Sequence, residues 1–163
     1  MFLLLLVIAG AAIIIAIVHY SLKYGISPMP SSKKCCSIMV QLAEGKVAEL
    51  GCGFGGLALQ LQKKGCEVQA FEISPIPFWV AKLRGVSVKR KDFFEEDLSK
   101  FDTIVCYLYP GAMEKLAKKL GQNCHIITNT FALPGWKKTK VFVVDDIYKS
   151  EVISYRSYDA LDE

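Results

Sequence analysis

Histidine is scarce in this chain, with two copies in 163 residues, and none of the six cysteines falls in a C-x-x-C pair. The ligand spacing of a structural zinc site is therefore missing, and no metal is expected. A long basic stripe with interleaved aromatics is missing too. The formal net charge of +4 comes from short clusters such as KRK at 89–91, offset by EED at 95–97 and an acidic DALDE end. Nucleic acid is not the expected partner of such a pattern. There is no internal repeat, no low-complexity tract, and no Tyr-x-x-x-Lys pair or evident catalytic histidine of the kind a nicotinamide dehydrogenase uses. The cysteines at 35, 36, 52, 66, 106 and 124 mostly sit in apolar runs and read as reduced core residues. Cys35-Cys36 also leave acylation open, being close to an apolar leader.

Charge is also absent from the first 22 residues. No Lys or Arg precedes the apolar run and no A-x-A site follows it, which argues against a cleaved secretory peptide. From Phe2 to Val18 every residue is apolar or glycine. At 1.5 Å per residue, about 20 such residues cross a hydrocarbon layer of roughly 30 Å. Residues 1–23 are thus expected to be a transmembrane helix, with His19, Tyr20 and Lys23 at its interfacial edge. The nearby positive charges, Lys23, Lys33 and Lys34, all follow the segment. The positive-inside rule then puts the rest of the chain on the cytoplasmic side, or the matrix side of a mitochondrion.

Residues 24–34, rich in Pro and Ser, read as a linker, and 35–163 as one domain. After a weakly helical stretch at 35–43, strands and helices alternate. Strands are expected at 46–50, 66–72, 86–90, 102–109 and 124–131. Helices are expected at 55–65, 75–85 and 110–121, with a short turn between 93 and 101. TKVFVVDDI and SEVISYR then follow without room for a helix between them. The expected fold is α/β: a Rossmann-like sheet of seven strands, parallel except for a terminal antiparallel hairpin.

The stretch VAELGCGFGG at 47–56 carries the chemistry. Gly51, Gly53 and Gly56 satisfy G-x-G-x-x-G directly after a strand, where backbone can approach a ligand and a helix N-terminus can face it. Glu49 stands just ahead of the glycines. A dinucleotide would bring pyrophosphate there, against like charge. S-adenosylmethionine (SAM) brings a sulfonium and an ammonium group, which an acidic loop favours. Glu72, at the end of the second strand, can accept from ribose hydroxyls. Asp92 and Phe93, after the third strand, can accept from an adenine amino group and cover its ring. The expected cofactor set is Glu49, Gly51, Cys52, Gly53, Gly55, Glu72, Ile73, Asp92 and Phe93.

The segments VAELGCGFGGLAL, VQAFEISPIPFWVAKLR, KRKDFFEEDLSKFDTIVCYLYPGAMEKLAKKL and HIITNTFALPGW resemble the class I, seven-strand SAM-dependent methyltransferases. More narrowly they are similar to the small protein-lysine methyltransferases, which include enzymes acting on the c-subunit of ATP synthase and on the adenine nucleotide translocase. The likeness runs from about residue 34 to 156. Family members commonly have Asp where this chain has Phe54, an acidic residue where it has Thr130, and an NP-like pair where it has Ser74-Pro75. The resemblance implies an enzyme that methylates lysine side chains of membrane-associated proteins with SAM. The C-terminal edge of the sheet, where such a ligand sits, presents the expected acceptor site: Tyr107, Tyr109 and Pro110 after the fourth strand and Thr130, Phe131 and Trp136 after the fifth. Two other readings stay open: methylation of a lipid or small-molecule acceptor, and a non-catalytic SAM- or dinucleotide-binding membrane protein.

Overall fold

The computed structural model describes residues 1–24, 30–121 and 124–156. An apolar helix, α1 (Phe2–Tyr24), leads the chain. By length and composition it could cross a membrane, and none of its most apolar stretch is buried in the rest of the fold. Residues 25–29 of the expected linker lie outside the described set. The linker ends earlier than its composition implies, because α2 begins at Lys33 (Lys33–Leu42). Ser32 caps it, its hydroxyl accepting from the Cys35 N–H at 3.2 Å, as a short polar side chain ahead of a helix does.

From there the chain alternates as its pattern predicts: β1 (Lys46–Leu50), α3 (Gly56–Lys64), β2 (Glu67–Phe71), α4 (Pro75–Leu83), β3 (Val88–Lys89), a 3₁₀ turn at Phe93–Glu95, β4 (Thr103–Cys106), α5 (Pro110–Lys119), β5 (His125–Asn129), β6 (Lys140–Val143) and β7 (Glu151–Arg156). The seven strands form one sheet in the order β3-β2-β1-β4-β5-β7-β6. The first five run parallel, and β7 lies antiparallel to both β5 and β6. The expected terminal hairpin is therefore present, with its second strand inserted next to β5 and its first strand left at the edge.

Alternate residues of each strand face opposite layers, as the twofold pleat requires. Ala48, Leu50, Ile104, Ile126 and Ile153 pack with Met113 and Leu116 of α5. Val47, Val105, Ile127 and Val152 pack with Cys35 and Met39 of α2, Leu57 and Leu61 of α3 and Ala81 of α4. Both faces are thus covered. Five of the six cysteines are buried and all six are free thiols. Cys35 and Cys36 are both buried inside this second layer, so the acylation reading is corrected: neither side chain is offered at the surface.

Three of the strands that fall short of their expected length do so for identifiable reasons. The N–H of Val86 closes the end of α4 by donating to the Ala81 carbonyl at 3.1 Å, so β3 keeps two residues. β4 pairs with β1 only as far as Leu50 opposite Cys106, and beyond that the glycine loop turns away and leaves Tyr107 unladdered. β5 ends where Thr130 takes φ = 67° and gives its N–H to the Glu151 carbonyl at 2.7 Å. These endings release the chain at one edge of the sheet, where the glycine loop and the two aromatic segments meet.

Candidate functional site

The loop after β1 is built from the backbone outward. Gly51 and Cys52 both donate their N–H groups to the Phe71 carbonyl, at 3.0 and 2.9 Å, and the Gly55 N–H returns to Cys52 O at 2.9 Å. The three glycines at 51, 53 and 55 all have positive φ, which is why a side chain is selected against there. Their reasons differ. A β-carbon at Gly53 would meet nothing within 4 Å, whereas one at Gly55 would sit 2.6 Å from Val86 Cγ2 and 3.2 Å from Ala81 Cβ. Gly55 is therefore a packing glycine between the loop and α4, not part of a ligand-facing wall. Gly55→Ala is expected to lower stability by roughly 2–4 kcal/mol, combining left-handed strain with overpacking, in a urea denaturation of the cofactor-free protein. An unchanged midpoint would overturn that packing role.

Two carboxylates lie beneath this loop. Glu72 is buried and fully engaged: Oε2 accepts from the Gly53 N–H at 2.9 Å and Oε1 from the Ser74 N–H at 2.7 Å. It braces the second glycine against the end of β2. Glu49 is only 6% exposed, and its Oε2 has no hydrogen-bond partner. Burial pushes its carboxyl up to about 8, reinforced by the negative charge of Glu72 and opposed by the backbone N–H of Ala58 in the first turn of α3. A buried acceptor without a donor costs free energy unless something polar fills the space before it.

Glu49 also lies on the wall of a cavity of about 330 Å³, within the range of small-molecule sites, lined by Glu72, Gly51, Gly53 and Tyr107 among others. Of the expected cofactor residues, Glu49, Gly51, Cys52, Gly53 and Glu72 line it. Gly55, Ile73, Asp92 and Phe93 do not. Asp92 caps the 3₁₀ turn, its Oδ1 accepting from the Phe94 N–H at 2.9 Å. That geometry turns Phe93 into the core with Leu98 and Phe101, and leaves Phe94 as the half-exposed ring of the pair. The expectation of a ring-covering Phe93 is corrected accordingly.

Several further residues join the cavity without a motif to announce them. Lys33, Cys36 and Met39 of α2 and Arg84 at the end of α4 all line it, as does Ile17 of α1. Phe54, where the chain departs from the family pattern, also lines it, and the Arg84 guanidinium donates to its carbonyl at 2.6 Å. The segment ahead of α2 is pinned to the sheet by the Asn129 amide, which donates to Ser31 Oγ at 2.9 Å. The apolar side of α2 is the one available signal for these residues, and it is weak. Burial raises the thiols of Cys36 and Cys106, to about 11 and about 12, and that of Cys52 further still. These thiols stay protonated and non-nucleophilic at neutral pH.

Tyr107 leads from the cavity to an aromatic group. Its ring is stacked on Phe131, with centroids 6.1 Å apart and planes at 24°, and Tyr109 meets the same ring edge-on at 6.0 Å. The left-handed turn at Thr130 directs Phe131 to this position, and Pro110 starts α5 directly after Tyr109. Trp136 packs against the α5-side layer in the following loop, which is tied down where the Leu133 N–H donates to the Tyr155 hydroxyl at 2.8 Å. The structure thus joins Tyr107, Tyr109 and Phe131 in one cluster. Of the six expected acceptor residues, Tyr107 alone reaches the cavity itself.

The family model of the ANTKMT methyltransferase domain matches residues 49–140. Two curated relatives, both named as lysine N-methyltransferases of the ATP synthase c-subunit, are similar. That of Xenopus laevis is 23% identical over 137 residues, covering 76% of this chain and 61% of the relative. The Homo sapiens protein is 24% identical over 132 residues, covering 72% and 57%. The chain spans about three fifths of the length of the curated relatives it matches. Among solved structures, an RNA methyltransferase from Salinibacter ruber in complex with S-adenosyl-L-homocysteine superposes with a TM-score of 0.68 at 22% identity, covering 83% of this chain and 97% of that one. That likeness establishes a shared α/β fold.

Proposed function

The chain belongs to the ANTKMT methyltransferase domain family, within the class I SAM-dependent methyltransferases, and from that premise we propose that it methylates lysine side chains of membrane-associated proteins. The observation that carries the cofactor assignment is Glu49 on the cavity wall, a buried carboxyl whose Oε2 lacks a partner. A cationic donor draws that carboxyl into its ionised form and satisfies it, whereas a pyrophosphate would meet the charge of Glu72. The open side of Gly53 accommodates a ligand lying close to the backbone. The residues present fit SAM, with Glu49 and the Gly51–Gly53 backbone holding it. When bound, SAM supplies an electrophilic methyl group.

This chain's residues have three tasks in such a transfer. They must exclude water, align the acceptor, and receive it as a neutral amine. A free lysine titrates near 10.4, so the amine must lose its proton on entry. Burial between apolar walls shifts it in that direction. We assign this to Tyr107, Tyr109 and Phe131, whose faces attract the incoming ammonium before it deprotonates. Alignment of reacting groups is worth up to roughly 7–11 kcal/mol in well-oriented systems, which makes the placement of these rings the main lever on rate. The names of the two curated relatives support lysine as the acceptor.

We further assign α1 as a membrane anchor, with Lys23, Lys33 and Lys34 keeping the catalytic domain on the cytoplasmic face, or the matrix face in a mitochondrion. Tethering raises enzyme concentration at that surface. The test is incubation of membranes from cells lacking this protein with the full-length chain and labelled SAM. Label is expected in protein, on lysine, and reduced by on the order of tenfold or more with Phe131→Ala. Label in extracted lipid or in small molecules instead would overturn the lysine assignment.

A further inference from the structure

The outward face of α4 is apolar and unpartnered among the described residues. Trp79 and Leu83, one helical turn apart and so on the same side, are 54% and 85% exposed. The ammonium of Lys82 lies over the Trp79 ring at 5.1 Å. Between Ile73 and Lys91 the chain has five basic residues and no acidic one. Of these, Lys82, Arg84, Lys89 and Arg90 are exposed, and none forms an ion pair with a described carboxylate. Arg84 continues this face to the cavity rim by bonding the carbonyl of Phe54, itself an exposed aromatic. Ile17, in the second half of the apolar helix α1, lines the same cavity as Phe54 and Arg84.

We infer that this face, with Phe54, Trp79 and Leu83 as its apolar contacts and Lys82, Arg84 and Arg90 as its charges, rests on the anionic lipid surface of the membrane that holds α1. The inference rests on α1 being a membrane helix. Aromatic and long basic side chains are the types that settle at the headgroup layer, rings inward and charges toward phosphate. Each basic residue near such a surface adds to the attraction. The charge sign selects anionic lipid, and the shared cavity lining connects the face to the anchor. The consequence is directional: the cavity rim at Phe54 and Arg84 is held against the bilayer, so an acceptor lysine reaches it from the headgroup zone rather than from bulk solvent.

The two tryptophans, Trp79 and Trp136, make this measurable in the full-length chain. The protein is reconstituted into phosphatidylcholine vesicles with and without phosphatidylserine, carrying brominated acyl chains as quencher. The expected result is bromolipid quenching that is strongest in anionic vesicles, is lost in Trp79→Phe, and falls in the double variant Lys82→Glu/Arg84→Glu. Trp79 remaining open to aqueous acrylamide and unquenched by bromolipid, in a chain that floats with the vesicles, overturns the surface assignment alone. So does shielding of Trp79 that requires added membrane protein. A chain that fails to float with vesicles overturns the anchor reading and this inference together.

Discussion

Glu49→Gln is expected to make the cofactor-free protein more stable above neutral pH while weakening SAM binding by on the order of ten- to a hundredfold, the value of one charge-assisted hydrogen bond. The sign follows from burial. In the unfolded chain this carboxyl titrates near its ordinary value of 4.5, and in the folded chain near 8. Below the lower value both states are protonated and the group is neutral to stability. Between the two values the unfolded chain releases the proton and the folded chain keeps it, so stability falls as pH rises. The fall levels off once pH exceeds about 8, after a loss on the order of a few kcal/mol. Thermal melts of wild type from about pH 5 to about pH 9 should show this decline, and Glu49→Gln should flatten it. The same carboxyl should ionise when a cationic ligand enters, so SAM binding near neutral pH should release protons. Titration calorimetry in buffers of different ionisation enthalpy reads that release directly. Equal proton release by wild type and Glu49→Gln would remove Glu49 from the role given to it.

Glu72→Ala should act differently and more severely. Its carboxylate is already committed to two backbone donors, Gly53 and Ser74. Truncation leaves both without acceptors, at about 1–3 kcal/mol each when buried, so a loss of unfolding free energy of roughly 2–5 kcal/mol is expected in denaturant titration. The glycine loop loses its brace in the same step, and SAM affinity should drop by on the order of a hundredfold or more. Glu72→Gln, which keeps one carbonyl acceptor, should recover part of the stability. The contrast with Glu49 is the informative result: one acid trades stability for binding, and the other supports both. A Glu72→Ala protein of unchanged stability would mean that the carboxylate serves a ligand and not the loop.

The strand, glycine loop and helix at residues 46–64 are legible in the sequence because their constraints are local. A buried β-branched and apolar run, glycines at positive φ and a C-capping Gly65 each leave a mark on a few adjacent residues. The order of the last two strands is legible in part: the absence of a helix between them requires an antiparallel return, but not that β7 inserts beside β5. Asp92-Phe93-Phe94 misleads because two adjacent rings follow one acid, and the side that each faces is set by the Asp92 cap on the 3₁₀ turn. Arg84, Cys36 and Met39 reach the cavity through packing of distant helices, which no spacing in the sequence encodes. The aromatic residues of the acceptor segments are legible as the ends of two strands on one edge of the sheet. Their grouping around Phe131 depends on the backbone turn at Thr130, which is unusual for a β-branched residue.

The insertion of β7 between β5 and β6 also makes one strand support both ends of the site. Tyr155, on β7, holds the Leu133 N–H, and Glu151 holds that of Thr130. Without this strand the segment bearing Phe131 and Trp136 would lack these two anchors, and α2, whose Cys36 and Met39 line the donor cavity, would lose Val152 from the layer it packs in. The wall that grips the methyl donor and the segment that admits the acceptor therefore share one support.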